Sequence, residues 1–573
     1  MQGFSGANKG VILTGKIFKE FNEEKWEQVR THPYFGKLRE NTLAMAEEFM
    51  RKDPMVIKFS MIHSFVASGN RERFEGVYDD YMNRLNCYFV SYMLTLDDKY
   101  IEPLADIIWN ICDFESWSIP AHVKEELSIA ERRKNLDLCS TISASRIAEV
   151  LYFIGDKLPA LVQRRAKEEI QYRIIDSYRD ATVERYWWLE SKNNWSAVCI
   201  ASILTTYLCV ATEDEIKTQL PRMMKSADCY LSGFEEDGCC LEGYAYWNYG
   251  FSYFCKFASL LNEYTDGRIN YFEREKVRKI ALFQESITLN ENQCISFSDS
   301  TVEFMPLGWL SHFLKGIYPE LRLPKIPPSD YAHAPLRHIL WQNPELSDAT
   351  FDASEPARFE FENAQWFIYR DKDFALGCKA GHNKEPHNHN DVGSFIISKG
   401  GKVGFCDPGV GQYTRQYFSS ERFSLMLCSS RGHSVPIING EYQKNVPDKS
   451  TVLISERNRY TFNMEKVYRI ECLKSLVRDF ECTDTHIRMT DTYEFTERPT
   501  SVVERFVSLV PFEVGEGKIA SGNSTMYFDK ARFSVSTGSE TVDRKGNKRG
   551  EVYYADLTVI SPEKNMTFEF IFD

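Results

Sequence analysis

Three things are scarce in this chain. No apolar run approaches the length of a helical membrane span without charges, so a helix crossing a bilayer is excluded. The fifteen cysteines contain no CxxC pair. Most sit singly, several inside apolar runs as Cys199 and Cys209 do, and only Cys239 and Cys240 adjoin. That pattern argues against a disulfide framework and for reduced, buried thiols in a cytoplasmic protein. The opening stretch, Met1 to Gly10, lacks the apolar segment of a secretory leader and points the same way, with a periplasmic location requiring a leader already removed. Positive charge is also short, with 69 Lys and Arg against 82 Asp and Glu and a net charge of −13. This excludes nucleic acid as the main partner but leaves room for an acidic ligand in a locally basic cleft.

What is present is ordinary for a globular protein of two or three domains: 573 residues, 43% hydrophobic and 26% charged. Aromatics reach 14%, which suits a sugar-binding cleft as well as a core. From about residue 15 to 325 the spacing of apolar residues is helical. Trp195 to Val210 is apolar nearly all round and predicts a helix buried on every side. Further helices are expected over 159–179, 215–232, 249–263 and 272–289. Helices joined by short polar breaks predict a bundle or an (α/α) toroid. Prolines and polar residues over 326–360 read as a linker. From 361 to 573 the pattern turns to short β-rich runs such as Trp366-Phe-Ile-Tyr-Arg370 and Thr567-Phe-Glu-Phe-Ile-Phe572, which predict stacked antiparallel sheets. The expectation is therefore an α+β multidomain chain: helical domain 1–325, linker 326–360 and sheet domain 361–573.

The densest chemistry lies in His387-Asn388-His389-Asn390-Asp391. Two imidazoles and a carboxylate in a polar segment need hydrogen-bond or metal partners once they leave water. Two apolar runs then flank Gly400-Gly401, a hairpin signal. With Lys399 facing Lys402, Asp407 comes opposite Ser394, close to the cluster, and His433 follows in Arg431-Gly-His-Ser434. A His, Asp and His set suits zinc, and a hydrogen-bonded polar cluster without metal is the alternative.

The helical half has polar features of its own. Asn193-Asn194-Trp195 opens the buried helix, and one Asn suffices as its cap. Glu235 to Gly250 packs three tyrosines and Trp247 between glycines, readable as core or as site. Phe297-Ser-Asp299-Ser-Thr301 reads as a loop at the cleft rim.

Together, Asn193-Asn194-Trp195, Asp237-Gly238-x3-Glu242-Gly243-x2-Tyr246-Trp247-x-Tyr249-Gly250 and His387-x-His389-x-Asp391-x-Gly393-Ser-Phe, with Asp407-Pro-Gly and His433 after them, resemble the heparinase II/III-like polysaccharide lyases. The resemblance implies an N-terminal (α/α) toroid, a C-terminal multi-sheet β domain, and cleavage of uronic-acid glycans by β-elimination. It implies that Asn194 binds the uronate carboxylate, that Tyr246 is the acid/base tyrosine, and that His387 is the catalytic histidine, acting as base for one C5 epimer with Tyr246 serving the other. It implies that His389, Asp407 and His433 hold a structural zinc ion and that Tyr417 is a cleft tyrosine. Trp195 stands where some relatives carry a histidine, and Ser434 where Asn is common. Trp195, Glu242, Arg415 and Arg431 join Tyr417 as substrate-binding candidates. Glu242 reads equally as an orienting or a helix-capping carboxylate, and the arginines read either as partners of sugar anions or as partners of nearby acids. The expected partner is an acidic oligosaccharide, with homodimerisation left open. A zinc-dependent glycan hydrolase or deacetylase, and a non-catalytic glycan-binding protein, are the alternatives.

Overall fold

A computed structural model describes residues 17–573 apart from Glu20 and residues 291–292, 303–305, 324–325, 348–350, 353–354 and 547. The N-terminal stretch read for a leader lies outside the described residues. All fifteen cysteines carry free thiols, and most are buried. Among the described residues no helix is long and apolar enough to cross a membrane.

The N-terminal half is an (α/α) toroid. Helix Asn194–Val210 is buried along almost its whole length, with Ala197, Val198, Cys199, Ile200, Ala201, Ile203, Leu204 and Tyr207 all at 0% exposure. Its small residues let neighbours approach on every side. It packs on Leu138–Ile154, Glu213–Leu231 and Ser252–Tyr264. The ring continues through Glu72–Thr95, flanked by Gly36–Met50 and Ile101–Asp113. It returns on itself because Glu23–Thr31 touches both Glu72–Thr95 and Leu336–Leu340, and the latter touches Gly308–Ile317. The stretch expected as a linker thus supplies a helix that helps to close the ring.

The C-terminal half is built from three antiparallel sheets. Five strands, Ala357–Phe361, Trp366–Asp371, Phe374–Lys379, Phe395–Lys399 and Lys402–Phe405, pair in chain order. Its three central strands are buried on both faces. Trp366, Ile368, Ala375 and Ile396 join the helical core, whereas Phe367, Leu376, Phe395 and Phe405 join a core shared with the other sheets. Double burial explains why these strands read as continuous apolar runs rather than as alternation. Gly377 allows the close approach, because a Cβ there would meet Ile295 Cδ1 at 1.9 Å. The eight-stranded sheet alternates as a one-sided sheet should, as in Leu473–Cys482 and Ile487–Phe495.

Arg478 fastens the loops of the site to this framework. It is 1% exposed, binds both oxygens of Asp491 at 2.8 and 2.5 Å, and donates to the carbonyls of Gly393 and Ser434 at 2.7 and 2.8 Å. Arg478→Met strands the buried Asp491 carboxylate and both carbonyls. Chemical denaturation should show a loss of about 3–5 kcal/mol.

Candidate active site

The segment 293–300 runs between the two halves and carries Asp299. Buried serines clamp it: Ser296 Oγ donates to Asp407 O at 2.9 Å and Ser298 Oγ to Leu241 O at 2.7 Å, while Val410 N donates to Ser300 O at 2.9 Å. Asp299 is therefore not at the rim, as its polar neighbours suggested, but at 0% exposure in the centre of the site. Its Oδ2 accepts from His387 Nδ1 at 2.7 Å and from the Tyr413 hydroxyl at 3.1 Å. Its Oδ1 accepts from Arg422 Nη2 at 2.8 Å and, closely, from the Tyr417 hydroxyl. Burial alone would raise the pKa of this carboxyl. The His387 and His389 rings and the Arg422 charge outweigh burial and hold it well below the usual carboxylate range.

His387 and Tyr246 come together from opposite halves. Their ring centroids lie 4.2 Å apart with the planes inclined by 31°. His387 has a left-handed backbone, φ 54°, a strained conformation that Arg422 secures by donating to the carbonyls of His387 and Asn388, each at 3.2 Å. With Nδ1 committed to Asp299, the other ring nitrogen is left for chemistry, and the side chain keeps 22% exposure. Burial pushes the Tyr246 phenol pKa up, only partly offset by its hydrogen bond to Tyr413, so it rests protonated as a proton donor. Since the Tyr413 hydroxyl donates to Asp299, it accepts from Tyr246 OH at 2.9 Å. Tyr413→Phe removes both of these hydrogen bonds, while Asp299 keeps His387, Arg422 and Tyr417, and should lower kcat by about tenfold, about 1.4 kcal/mol, with the fold unchanged.

The remaining candidates divide. Asn193 is the helix cap, accepting from Trp195 N at 3.1 Å. This frees Asn194, which is 7% exposed and packs against Gly250, where a Cβ would lie 3.2 Å from its own Cβ. Trp195 lies against His122 and the half-exposed Trp187, with centroids at 4.6 and 5.2 Å. Glu242 is not a cap, because Gly243 with φ 92° takes that position. It faces the site: burial raises its pKa, and His387 and Asp299 act on it electrostatically. Tyr417, expected in the cleft, is 1% exposed and stands behind Asp299, with Arg422 over its ring at 4.1 Å. Tyr413, four residues earlier, takes the position beside Tyr246. Arg415 is exposed near Gly69 of the toroid rim. Arg431 pairs with Glu540 at 3.4 Å. Trp247 and Tyr244 are core, stacked on each other at 5.5 Å.

Behind His387 lies a buried group that could hold a metal ion. His389, Asp391, Asp407 and His433 offer ligand atoms within 4.8 Å of one another, and all four are at 0% exposure. Their chemistry fits a cation. His433 Nε2 donates to Leu427 O at 3.0 Å, which leaves Nδ1 with a lone pair facing Asp407 Oδ2 at 3.0 Å. That pair, Asp391 Oδ2 and His389 Nδ1 lack hydrogen-bond partners despite full burial, and His389 Nε2 lies 3.3 Å from Asp299 Oδ1. Asp407 Oδ1 is oriented by Gly409 N at 2.8 Å and Asp391 Oδ1 by Lys379 Nζ at 2.7 Å. Asp391 extends the set of three expected from the sequence. The hairpin that delivers Asp407 pairs Lys399 with Lys402 as expected, but Ile397 pairs with Phe405, one residue out of register. A bulge at Gly404 is responsible: a Cβ there would lie 2.5 Å from Ser521 O.

No protein-family model and no curated protein matches this sequence. Solved structures match its fold. A heparinase III aligns over 98% of this chain and 93% of its own, with TM-score 0.61 and 12% identity. A heparan sulfate lyase HepC mutant from Pedobacter heparinus aligns over 96% and 90%, with TM-score 0.59 and 12% identity. A chondroitin AC lyase from Streptomyces coelicolor A3, in complex with chondroitin sulphate, aligns over 96% and 81%, with TM-score 0.55 and 10% identity. The chain has the two-part fold of these polysaccharide lyases, a helical toroid followed by stacked antiparallel sheets.

Proposed function

We propose that this chain is a polysaccharide lyase that cleaves uronic-acid glycans by β-elimination, leaving a 4,5-unsaturated uronate. The observation that carries the reading is the meeting of Tyr246 and His387 over Asp299 where the two halves join. The C5 proton of a uronate is weakly acidic because its neighbouring carboxylate is already charged. Asn194 hydrogen-bonds that carboxylate and stabilises the enolate-like state. The free nitrogen of His387 takes the C5 proton, and Asp299 offsets the charge of the imidazolium that forms. The C4–O4 bond breaks as the C4–C5 double bond forms, and Tyr246 gives its proton to the departing O4. The two rings are adjacent, so the proton on His387 returns to the Tyr246 phenolate and the site is reset. No water is consumed.

The buried His/Asp group is read as a structural zinc site held by His389, Asp407 and His433 with Asp391 alongside. When bound, the ion supplies positive charge that offsets the two carboxylates and fixes the loop bearing His387. A hydrolase or deacetylase would need a metal position open to substrate, and the complete burial of these side chains disfavours that reading. The proposal is tested by incubating the protein with a panel of uronate oligosaccharides and following ultraviolet absorbance of the conjugated product. At least one acidic oligosaccharide should give a rising signal; silence across the panel would refute the reading.

A further inference from the structure

A long hairpin of the sheet domain reaches the site and takes no part in the reaction as written above. Strands Phe533–Arg544 and Lys548–Val559 pair in unbroken register until Arg544 faces Lys548. The next strand, Val502–Ser508, pairs with the hairpin only between Tyr553 and Thr558. The far end therefore projects from its sheet as a two-stranded arm, which alone is marginally stable in water. It is fastened beside the reacting groups instead. Val542 shares a small core with Met426, Leu427, Val507 and Val552. Gln412 N donates to Asp543 O at 2.9 Å, and Gly411 bridges to Arg544. The loop gripped in this way is the one that carries Tyr413.

The turn of the hairpin is basic. Four of the six residues from Arg544 to Arg549 are Lys or Arg, in a chain whose net charge is −13. Arg549 is paired with Asp543 at 3.2 Å. Lys545 is exposed and has no hydrogen-bonded or ion-pair partner among the described residues. Its Nζ stands over the Tyr413 ring, 5.0 Å from the centroid. Although solvent reaches the side chain, the protein around the ammonium lowers its pKa by desolvation, and Asp299 offsets only part of that. Asp299 is no counter-ion for it, being already bonded to His387, Arg422 and two tyrosines. A cation on an aromatic face gains little at an exposed position, and holding a flexible lysine there costs rotamer entropy. Stability thus does not account for the placement, whereas an anionic ligand does. On the lyase reading, Tyr246 protonates O4, and Tyr413 holds the Tyr246 hydroxyl at 2.9 Å. The sugar joined through O4, which departs with that proton, is therefore the unit within reach of Lys545.

We propose that Lys545 is a specificity-determining residue that binds an oxyanion, sulfate or carboxylate, on the departing sugar unit. The proposal rests on the lyase reading for which unit that is, but not for the presence of an anion contact at Lys545. Three tetrasaccharides test it: one alternating glucuronate with N-acetylglucosamine, its counterpart sulfated on the glucosamine, and one of uronates throughout. Calorimetric titration uses the full chain carrying Tyr246→Phe, so that no substrate is consumed. The sulfated or the all-uronate compound should bind at least about tenfold more tightly than the first, and whichever does so identifies the oxyanion. Adding Lys545→Gln should erase this preference, and Lys545→Arg should keep most of it. Lys548→Gln, which removes a charge from the same turn, should leave it within about twofold. In the active protein, Lys545→Gln should raise KM for the preferred compound about tenfold while kcat changes less than about twofold, as removal of uniform binding does. If no unsaturated product forms from any of the three yet the Lys545-dependent preference is found, the contact stands and the lyase reading fails. If there is no preference, or if it survives Lys545→Gln, or if Lys548→Gln erases it equally, the role of Lys545 is refuted whether or not product forms.

Discussion

Tyr246→Phe and His387→Ala should each reduce the formation of unsaturated product by about 10³-fold, with melting temperatures within a few degrees of the wild type. The argument is one of proton inventory. Elimination needs a group to remove the C5 proton and a group to protonate O4, and these two side chains are adjacent while their polar atoms are tethered differently. Asp299 holds one nitrogen of His387 at 2.7 Å, and Tyr413 holds the Tyr246 hydroxyl at 2.9 Å. Tyr246→Phe removes one oxygen and leaves the ring packed against His387. His387→Ala exposes Asp299 but keeps its bonds to Arg422, Tyr413 and Tyr417, so the buried carboxylate remains satisfied. Both variants should therefore fold. Initial rates by ultraviolet absorbance, with melting curves beside them, check the prediction, and full activity in either variant would remove that residue from its assigned role.

The second large effect concerns the buried metal-binding group. Removing bound metal with a chelator, or replacing His433 by Ala, should lower the melting temperature by about 10 °C or more, because the binding energy of a structural ion is folding energy. Without a cation, Asp391 and Asp407 share a fully buried space with two histidines, each with an Nδ1 that lacks a hydrogen-bond partner. The loop from His387 to Gly393 would loosen first, since Asp391 and His389 are its anchors. Elimination should therefore decay together with the structure and recover on adding zinc. Loss of activity at once, with no change in melting, would mean that the metal takes part in the reaction.

Much of this is legible in the sequence, and the exceptions share a cause. Helix Asn194–Val210 announces itself because every residue type in it is apolar or small, a local property. Closure of the toroid is not local: it depends on Glu23–Thr31 meeting Leu336–Leu340, and the proline-rich run around the latter looks like a linker. Four strands of the five-stranded sheet were visible, whereas Ala357–Phe361 fell in the stretch read as a linker, and the burial of the sheet on two faces depends on Ile295 and the helical core behind it. In the site, His387, His389, Asp407 and His433 stood out through composition and spacing. Asp299 did not, because Ser-Asp-Ser reads as a solvated loop. Its burial is set by His387, Tyr413, Tyr417 and Arg422, all more than eighty residues away. Tyr413 had a faint signal, an aromatic four residues before Tyr417 in a polar stretch. Arg422, in Ser-Glu-Arg-Phe, had none.

The most direct test is a mass balance on a single cleavage of a defined uronate oligosaccharide. Elimination predicts two fragments whose masses sum to that of the substrate, one of them carrying the unsaturated uronate at its new end. Fragments that together outweigh the substrate by one water would contradict it and turn the site into that of a hydrolase.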